Sequence, residues 1–364
     1  MSFPPLREEL LGLEPYGAPQ LDVPVQLNVN ENPYPPSEKV VADVAAAVAE
    51  ATTTLNRYPD REFTRLREAL AGYLGHALTP EQIWAANGSN EVMLQLLQAY
   101  GGPGRSVLSF APTYSMYPEY ARDSHTEWVT GHREQDFTLD LDHARDLVKE
   151  RRPAVVLLPS PNNPTGTALP PEAVTTLCEA IGDGIVVVDE AYGEFRRTGT
   201  PSALELLPRH RNLVVTRTMS KAFALAGARL GYLAADPAII DGIRVVRLPY
   251  HLSAVTQAVA LAALRHAPEL LGQVDEIRAG RDRTVGWLRE RGLRVAESDA
   301  NYCLFGTFED RHAVWQGLLD RGVLIREVGP DGWLRVSIGT PAEMTAFQDA
   351  LSAVMAEEMG KRNQ

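Results

Sequence analysis

Two cysteines in 364 residues are too few for a disulfide framework, and Cys178 and Cys303 stand far apart in apolar surroundings, as small buried side chains do. Neither CxxC nor HExxH occurs and the eight histidines are scattered, so no metal site is expected. No GxGxxG opens a strand–helix unit, which removes the usual dinucleotide fingerprint. No stretch approaches the roughly 20 apolar residues of a membrane span, and no basic segment followed by an apolar run opens the chain. A cytoplasmic protein without a membrane partner is the default expectation. Basic residues are in deficit, 35 against 47 acidic, and the formal net charge of -12 repels a phosphate backbone. The pairs Arg151–Arg152 and Arg196–Arg197 are isolated and read as solvated faces, so nucleic acid is not an expected partner.

What is present is a globular composition. An apolar fraction of 45% with 23% charged residues excludes a disordered regulator or a fibre. At roughly 150 residues per domain, the length suits two or three domains, or a large α/β domain with a smaller companion.

The first 35 residues are proline-rich and irregular apart from a short alternating piece at Val23 to Leu27, and they read as an arm lying over another surface. Helical periodicity runs from Ser37 to Thr54. A second helix carries Phe63, Leu66, Leu70 and Tyr73 at helical spacing, and the exposed turn NRYPD separates the two. The chain then repeats one grammar: an apolar run, a polar or glycine-containing loop, and a helix. The runs are Gln82 to Ala86, Ser106 to Phe110, Ala154 to Leu158, Ile185 to Val188 and Leu213 to Val215. Apolar runs without polar alternation are buried strands of a mostly parallel sheet. Polar residues gather just past their ends, where open α/β sheets bind ligands. After RLPYHLS, a long helical stretch broken near Pro268 leads to strands at Tyr302 to Thr307, Val323 to Arg326 and Leu334 to Ile338, with helices around Ala313 to Leu319 and Met344 to Met355. The expected division is an arm over residues 1–35, partly packed on the small domain, a large α/β domain over 36–255, and a small α+β domain over 256–364.

Thr218-Met219-Ser220-Lys221 carries the strongest chemical signal. A lone lysine after a strand is ordinarily a solvated charge, because a free amine is protonated near pH 7. Here hydroxyls flank it, and Arg229 follows beyond the small residues AFALAGA, so an anion can be held beside a reactive amine. Lysine forms Schiff bases with carbonyls, and pyridoxal phosphate is the cofactor that uses this routinely. Its ring nitrogen needs a carboxylate. Asp189 ends the run IVVV with Tyr192 close behind, although a turn or cap is the bland reading of the same acid. Asn163 in SPNNPTG stands at the same sheet edge. ANGSNEV follows a strand and opens a helix, so Gly88, Ser89 and Asn90 suit a phosphate, ordinary N-capping by Ser89 or Asn90 being the competing reading. Tyr114 in PTYSMY suits either stacking on a planar ring or a place in the core.

With these residues assembled, the chain resembles the fold-type I pyridoxal-phosphate aminotransferases, and among them the histidinol-phosphate aminotransferase family. The likeness extends over nearly the whole length, through LNVNENPYPP, NRYPD, NGSNE, PTYSMY, SPNNPTG, VVDEAY, TRTMSKAFALAGARLGY, RLPYHLS, SDANYCLF and GVLIREV with GWLRVSIGT. It implies a large, mostly parallel-sheet α/β domain with a smaller α+β domain, and a homodimer. It assigns Lys221 as the lysine that bonds the cofactor and then moves the proton, Asp189 to the pyridine nitrogen, Asn163 and Tyr192 to the ring oxygen, and Tyr114 to the ring face. Phosphate binding falls to Ser89, Asn90, Thr218, Ser220 and Arg229, with Tyr58 of NRYPD reaching across a dimer interface. Arg335 is implied for an α-carboxylate, Arg326 and Arg335 together for a substrate phosphate, and Tyr16 and Asn30 near the substrate. On the residues alone, either arginine fits a surface salt bridge as well. A cis Asn163–Pro164 peptide is also implied. One departure is that EPYGAPQ lacks the arginine many relatives carry after Tyr16, which leaves fewer phosphate contacts.

The implied reaction is reversible amino transfer between L-histidinol phosphate plus 2-oxoglutarate and 3-(imidazol-4-yl)-2-oxopropyl phosphate plus L-glutamate, in histidine biosynthesis. An aromatic amino-acid aminotransferase on the same scaffold is the alternative, and a decarboxylase of a phosphorylated amino acid is a further one. A pyridoxal-phosphate-binding regulator is disfavoured because no helix-turn-helix region precedes the arm.

Overall fold

The valine-rich runs become the centre of a sheet because both of its faces are covered. The structure, a computed structural model, describes residues 4–362; the first three residues of the expected arm and the last two of the expected small domain lie outside the described residues. In chain order the strands are β1 (Val25–Gln26), β2 (Ile83–Ala86), β3 (Ser106–Ala111), β4 (Glu127–His132), β5 (Val155–Pro159), β6 (Ile185–Asp189), β7 (Leu213–Thr218), β8 (Gly231–Ala235), β9 (Arg294–Val295), β10 (Tyr302–Gly306), β11 (Val323–Leu324) and β12 (Leu334–Ser337).

The large sheet has the order β2-β8-β7-β6-β5-β3-β4. β3 to β7 pair in parallel, while β8 runs antiparallel to both β7 and β2. Every residue of β5, β6, β7 and β8 is buried, as strands covered on both faces must be. The carboxyl ends of β2, β3, β5, β6 and β7 share one edge. The antiparallel β8 brings its first residue, Gly231, to that same edge.

The expected helix from Ser37 to Thr54 spans Glu38–Thr52, with the Ser37 hydroxyl accepting from Val40 N as N-cap. The helix Thr64–Leu74 buries Leu66 and Leu70, with Phe63 as its N-cap. The helical stretch broken near Pro268 resolves into Ala254–Arg265, Ala267–Leu271 and Val274–Glu290. Ala260 and Ala263 of the first piece belong to the core around the large sheet, and a second core starts at Val274. That second core packs the helices Val274–Glu290, Arg311–Leu319 and Pro341–Arg362 around the sheet β12-β10-β9. The arm reaches it as well: β1 pairs in parallel with β11, and Leu27 is buried there.

Two parts of the sequence reading need correction. After β7 no helix follows; the segment with Lys221 stays a loop with one 3-10 turn, Ala226–Ala228, and returns as β8. The repeated order of run, loop and helix breaks here, since AFALAGARLG lacks a long apolar stripe to bury and its glycines disfavour a helix. The strand β4 was also not anticipated, because its exposed and buried residues alternate and only one face carries apolar side chains.

Candidate active site

The carboxyl edge of the large sheet and the facing strands of the smaller core enclose a cavity of about 490 Å³. Ser89 and Asn90 line it from the end of β2, Tyr114 from β3, Asn163 from β5, Asp189 and Tyr192 from β6, and Thr218, Ser220, Lys221 and Arg229 from the loop after β7. Tyr16 and Asn30 enter from the arm, and Arg326 and Arg335 from the second core. Tyr58 is not brought there. It is 80% exposed and stacks on Tyr250 with ring centres 4.4 Å apart.

Lys221 is part-buried, with Nζ donating to the Val29 carbonyl at 2.9 Å. Burial, reinforced by the Arg335 charge, pulls its amine down to about 8 from the ordinary 10.5. Asp189 has both oxygens engaged. Tyr117 Oη donates to Oδ2 at 3.0 Å, while the Thr216 hydroxyl and the Ala191 amide donate to Oδ1 at 3.1 and 3.2 Å. Burial nevertheless holds its pKa above the usual carboxylate value, since these hydrogen bonds do not replace a cation. Directly beside it, Glu190 is forced the other way. Its burial is outweighed by Arg217 and Arg196, with ion-pair distances of 2.6 and 3.0 Å, so it stays charged and low.

The first turn of the helix Ser89–Tyr100 is open toward the cavity. Its N-cap is Gly88, at φ +86°, with no capping side chain, so Ser89 and Asn90 are the first helical residues rather than caps. A β-carbon at Gly88 would lie 2.6 Å from Arg229 Nη2, and one at Gly231 would lie 2.2 Å from the Ser89 amide nitrogen. Two glycines therefore let Arg229 and the β8 start close around the helix end, an arrangement that suits an anion. Thr218 has a structural role there: its hydroxyl donates to Leu230 O and accepts from Ser220 N.

Arg326 and Arg335 form an isolated antiparallel bridge, each amide donating to the other's carbonyl at 2.9 Å. Such a pair places both side chains on one face, here the cavity face. Buried Arg335 donates to Asn163 Oδ1 at 2.5 Å and Asn28 O at 2.8 Å, while among the described residues its Nε has no partner. Burial lowers its pKa. Arg326 donates to Gly17 O at 3.3 Å, and Tyr16 Oη shares a hydrogen bond with Ser115 at 2.8 Å, so the arm crosses the cavity mouth. Tyr192 Oη accepts from Asn30 Nδ2 at 2.9 Å, and Asn163–Pro164 is cis.

The donor set suits one kind of molecule. A buried carboxylate short of a cation fits a protonated ring nitrogen, a glycine-lined helix end with Arg229 fits a phosphate, and a depressed amine fits a carbonyl carbon. An underused buried arginine leaves room for a second anion. The residues missed from sequence are the supports. Tyr117 and Thr216 hold Asp189, and Asn28 and Asn301 hold the arginine and the Asn30 backbone. The repeat of tyrosine at Tyr114 and Tyr117 was the only hint of the first.

The profile of the family described as aminotransferase class I and II matches residues 23–351. A histidinol-phosphate aminotransferase of Thermobifida fusca is 62% identical over 95% of this chain and 94% of its own length. The solved structure of histidinol-phosphate aminotransferase from Sinorhizobium meliloti in complex with pyridoxal-5'-phosphate superposes with a TM-score of 0.85 at 26% identity, covering 98% of this chain and 99% of that one. Aspartate aminotransferase from Thermus thermophilus with maleate gives 0.78 at 25%, covering 91% of each.

Proposed function

The chain belongs to the class I and II aminotransferase family, and on that premise we propose that it is a cytoplasmic, homodimeric histidinol-phosphate aminotransferase with pyridoxal phosphate as cofactor. It exchanges the amino group between L-histidinol phosphate and 2-oxoglutarate in histidine biosynthesis. The observation that carries the reading is that Lys221 and the bridged pair Arg326 and Arg335 face one cavity.

Bound pyridoxal phosphate supplies an electrophilic carbonyl and a ring that accepts negative charge from the substrate carbon. The chain supplies the rest. Asp189, held by Tyr117 and Thr216, would pair with the ring nitrogen and keep it protonated. Ser89, Asn90, Ser220 and Arg229 would hold the phosphate, Tyr114 would lie against the ring, and Asn163 and Tyr192 would hold the ring oxygen, all of them lining the cavity. Lys221 Nζ takes the proton from the amino-bearing carbon of the substrate. An amine drawn down to about 8 is a competent base near neutral pH, where an ordinary lysine is almost wholly protonated. Arg335 takes the α-carboxylate of glutamate or 2-oxoglutarate, and both arginines take the distal phosphate of histidinol phosphate. Asn30 positions Tyr192, and Tyr16 closes the mouth against water.

Support for the dimer comes from exposed apolar side chains, the stacked Tyr58 and Tyr250 together with Leu55, Val245 and Leu248. A second copy covers these residues and brings Tyr58 to the neighbouring phosphate site. The test of the reading is a substrate panel with 2-oxoglutarate as acceptor. Histidinol phosphate should exceed phenylalanine in kcat/KM by roughly tenfold or more, as expected when a charge-assisted phosphate contact is lost. A preference for phenylalanine would move the chain to the aromatic amino-acid aminotransferases.

A further inference from the structure

A second cleft, of about 680 Å³, lies next to the active-site cavity, between the rim of β3 and β4 and the loop that precedes β12. Its walls are mostly apolar: Pro112, Phe137, Pro330 and Trp333. Arg133 lines it from the end of β4 and is 9% exposed.

Arg133 is an unusual buried cation. Its Nε donates to Phe110 O at 3.3 Å and its Nη1 to Phe137 O at 3.1 Å, and among the described residues Nη2 takes no hydrogen bond and no carboxylate forms an ion pair with the guanidinium. Burial draws it down to about 10, and the groups that act against burial are the phenols of Tyr117 and Tyr302. His132 and Glu134 also line the cleft. A guanidinium carries five N–H donors, and leaving one buried without a counter-ion is costly. A second cation stands at the rim, where the exposed Arg294 lies over the Trp333 ring at 5.4 Å.

We propose that this cleft is a second ligand site, adjoining the active-site cavity with which it shares Thr113, Ser115, Pro164 and Val328, and that it binds a small aromatic carboxylate: the carboxylate on Arg133, the ring against Trp333 and its apolar neighbours. The class follows from the lining. One available guanidinium edge matches a single carboxylate, and the flat walls of Pro112, Phe137, Pro330 and Trp333 match an apolar ring. The occupant touches elements of both sheets, since Pro112 and Arg133 follow β3 and β4, Arg294 lies in β9, and Trp333, which packs edge-on against Phe137 at 5.2 Å, precedes β12. Its binding therefore stabilises their mutual placement.

The test uses the cofactor-loaded Arg335→Leu protein, in which the active-site carboxylate partner is removed, titrated calorimetrically with phenylacetate and with phenylacetamide. One phenylacetate per chain should bind saturably and raise the melting temperature, and the uncharged amide should bind at least about tenfold more weakly. Adding Arg133→Met should weaken phenylacetate by at least about tenfold while the protein remains folded, because an apolar side chain relieves an uncompensated buried charge. Arg294→Gln should weaken it by roughly threefold, as expected for an exposed cation. Absence of saturable phenylacetate binding overturns the proposal, and so does binding that Arg133→Met leaves unchanged. Should Arg133→Met fail to fold, equal binding of acid and amide overturns it.

Discussion

Tyr117, fully buried, donates from Oη to Asp189 Oδ2 at 3.0 Å, and its ring meets Tyr114 edge-on with centres 5.5 Å apart. Under the proposed assignment, the ring set against the cofactor face is thus braced by the ring that holds Asp189. Tyr117→Phe removes the hydrogen bond and keeps the packing. Burial already pushes Asp189 up and the Tyr117 hydrogen bond pulls it down, so the variant's carboxyl moves further up and pairs less well with a cationic nitrogen. A hydrogen bond to a charged group is worth about 1.5–3 kcal/mol, which corresponds to a cofactor dissociation constant raised roughly tenfold or more. Equilibrium dialysis reads it; unchanged retention would remove Tyr117 from the site.

Lys221 in the cofactor-free protein should react with an arylating reagent on a pH profile centred near 8, against 10.5 for an ordinary lysine. Arg335→Leu should move that midpoint upward, because the Arg335 charge is the strongest influence after burial. The folded amine has lost its proton above about 8, whereas the unfolded chain still binds it, so this group's contribution to stability rises with pH from there to the ordinary lysine value. Peptide-resolved labelling rates check the midpoint. A profile centred on the ordinary value would contradict the buried, cation-flanked amine.

Much of this was legible in the chain. Valine runs such as Ile185 to Val188 could only be buried strands, and the polar residues after them fell at the edge where parallel strands end. The arm's short alternating piece did become β1. The loop after Lys221 departs from the repeated order of run, loop and helix, because the close approach of Gly231 to Ser89 demands a strand without a side chain at its start. Ser89 and Asn90 left capping and anion binding equally open. Gly88 as N-cap removes capping by either side chain, and that needed backbone geometry. The buried set Glu190, Arg196 and Arg217 was invisible for another reason: charge in a sequence carries no mark of burial, and Arg196 reads as a solvated face.

Arg326→Leu should lower kcat/KM for histidinol phosphate by more than it lowers that for phenylalanine. Under the proposed assignment the guanidinium has a phosphate to meet in the first substrate and nothing charged at the distal end of the second, and a charge-assisted contact of this kind is worth roughly tenfold to a hundredfold. The mutant-to-wild-type ratio for each substrate is the measured quantity. Equal losses would assign Arg326 to the α-carboxylate or to the arm contact at Gly17.

Tyr58 tests the assembly. Mixing Tyr58→Phe chains with Lys221→Ala chains yields a heterodimer with one working lysine. If Tyr58 acts across the interface, that lysine's site borrows tyrosine from the Lys221→Ala partner and should show normal cofactor affinity and near wild-type activity per intact site. If Tyr58 acts within its own chain, the same site keeps the Tyr58→Phe cofactor defect, and the shared-site reading fails.

The most direct measurement concerns Lys221 itself. The purified holoprotein should be yellow; borohydride should bleach it and leave the cofactor joined to one lysine through a stable secondary amine. Peptide mapping of the reduced protein should find that adduct on Lys221, and Lys221→Ala should retain the cofactor without forming it. An adduct on any other lysine, or none in an active preparation, would contradict the account at its centre.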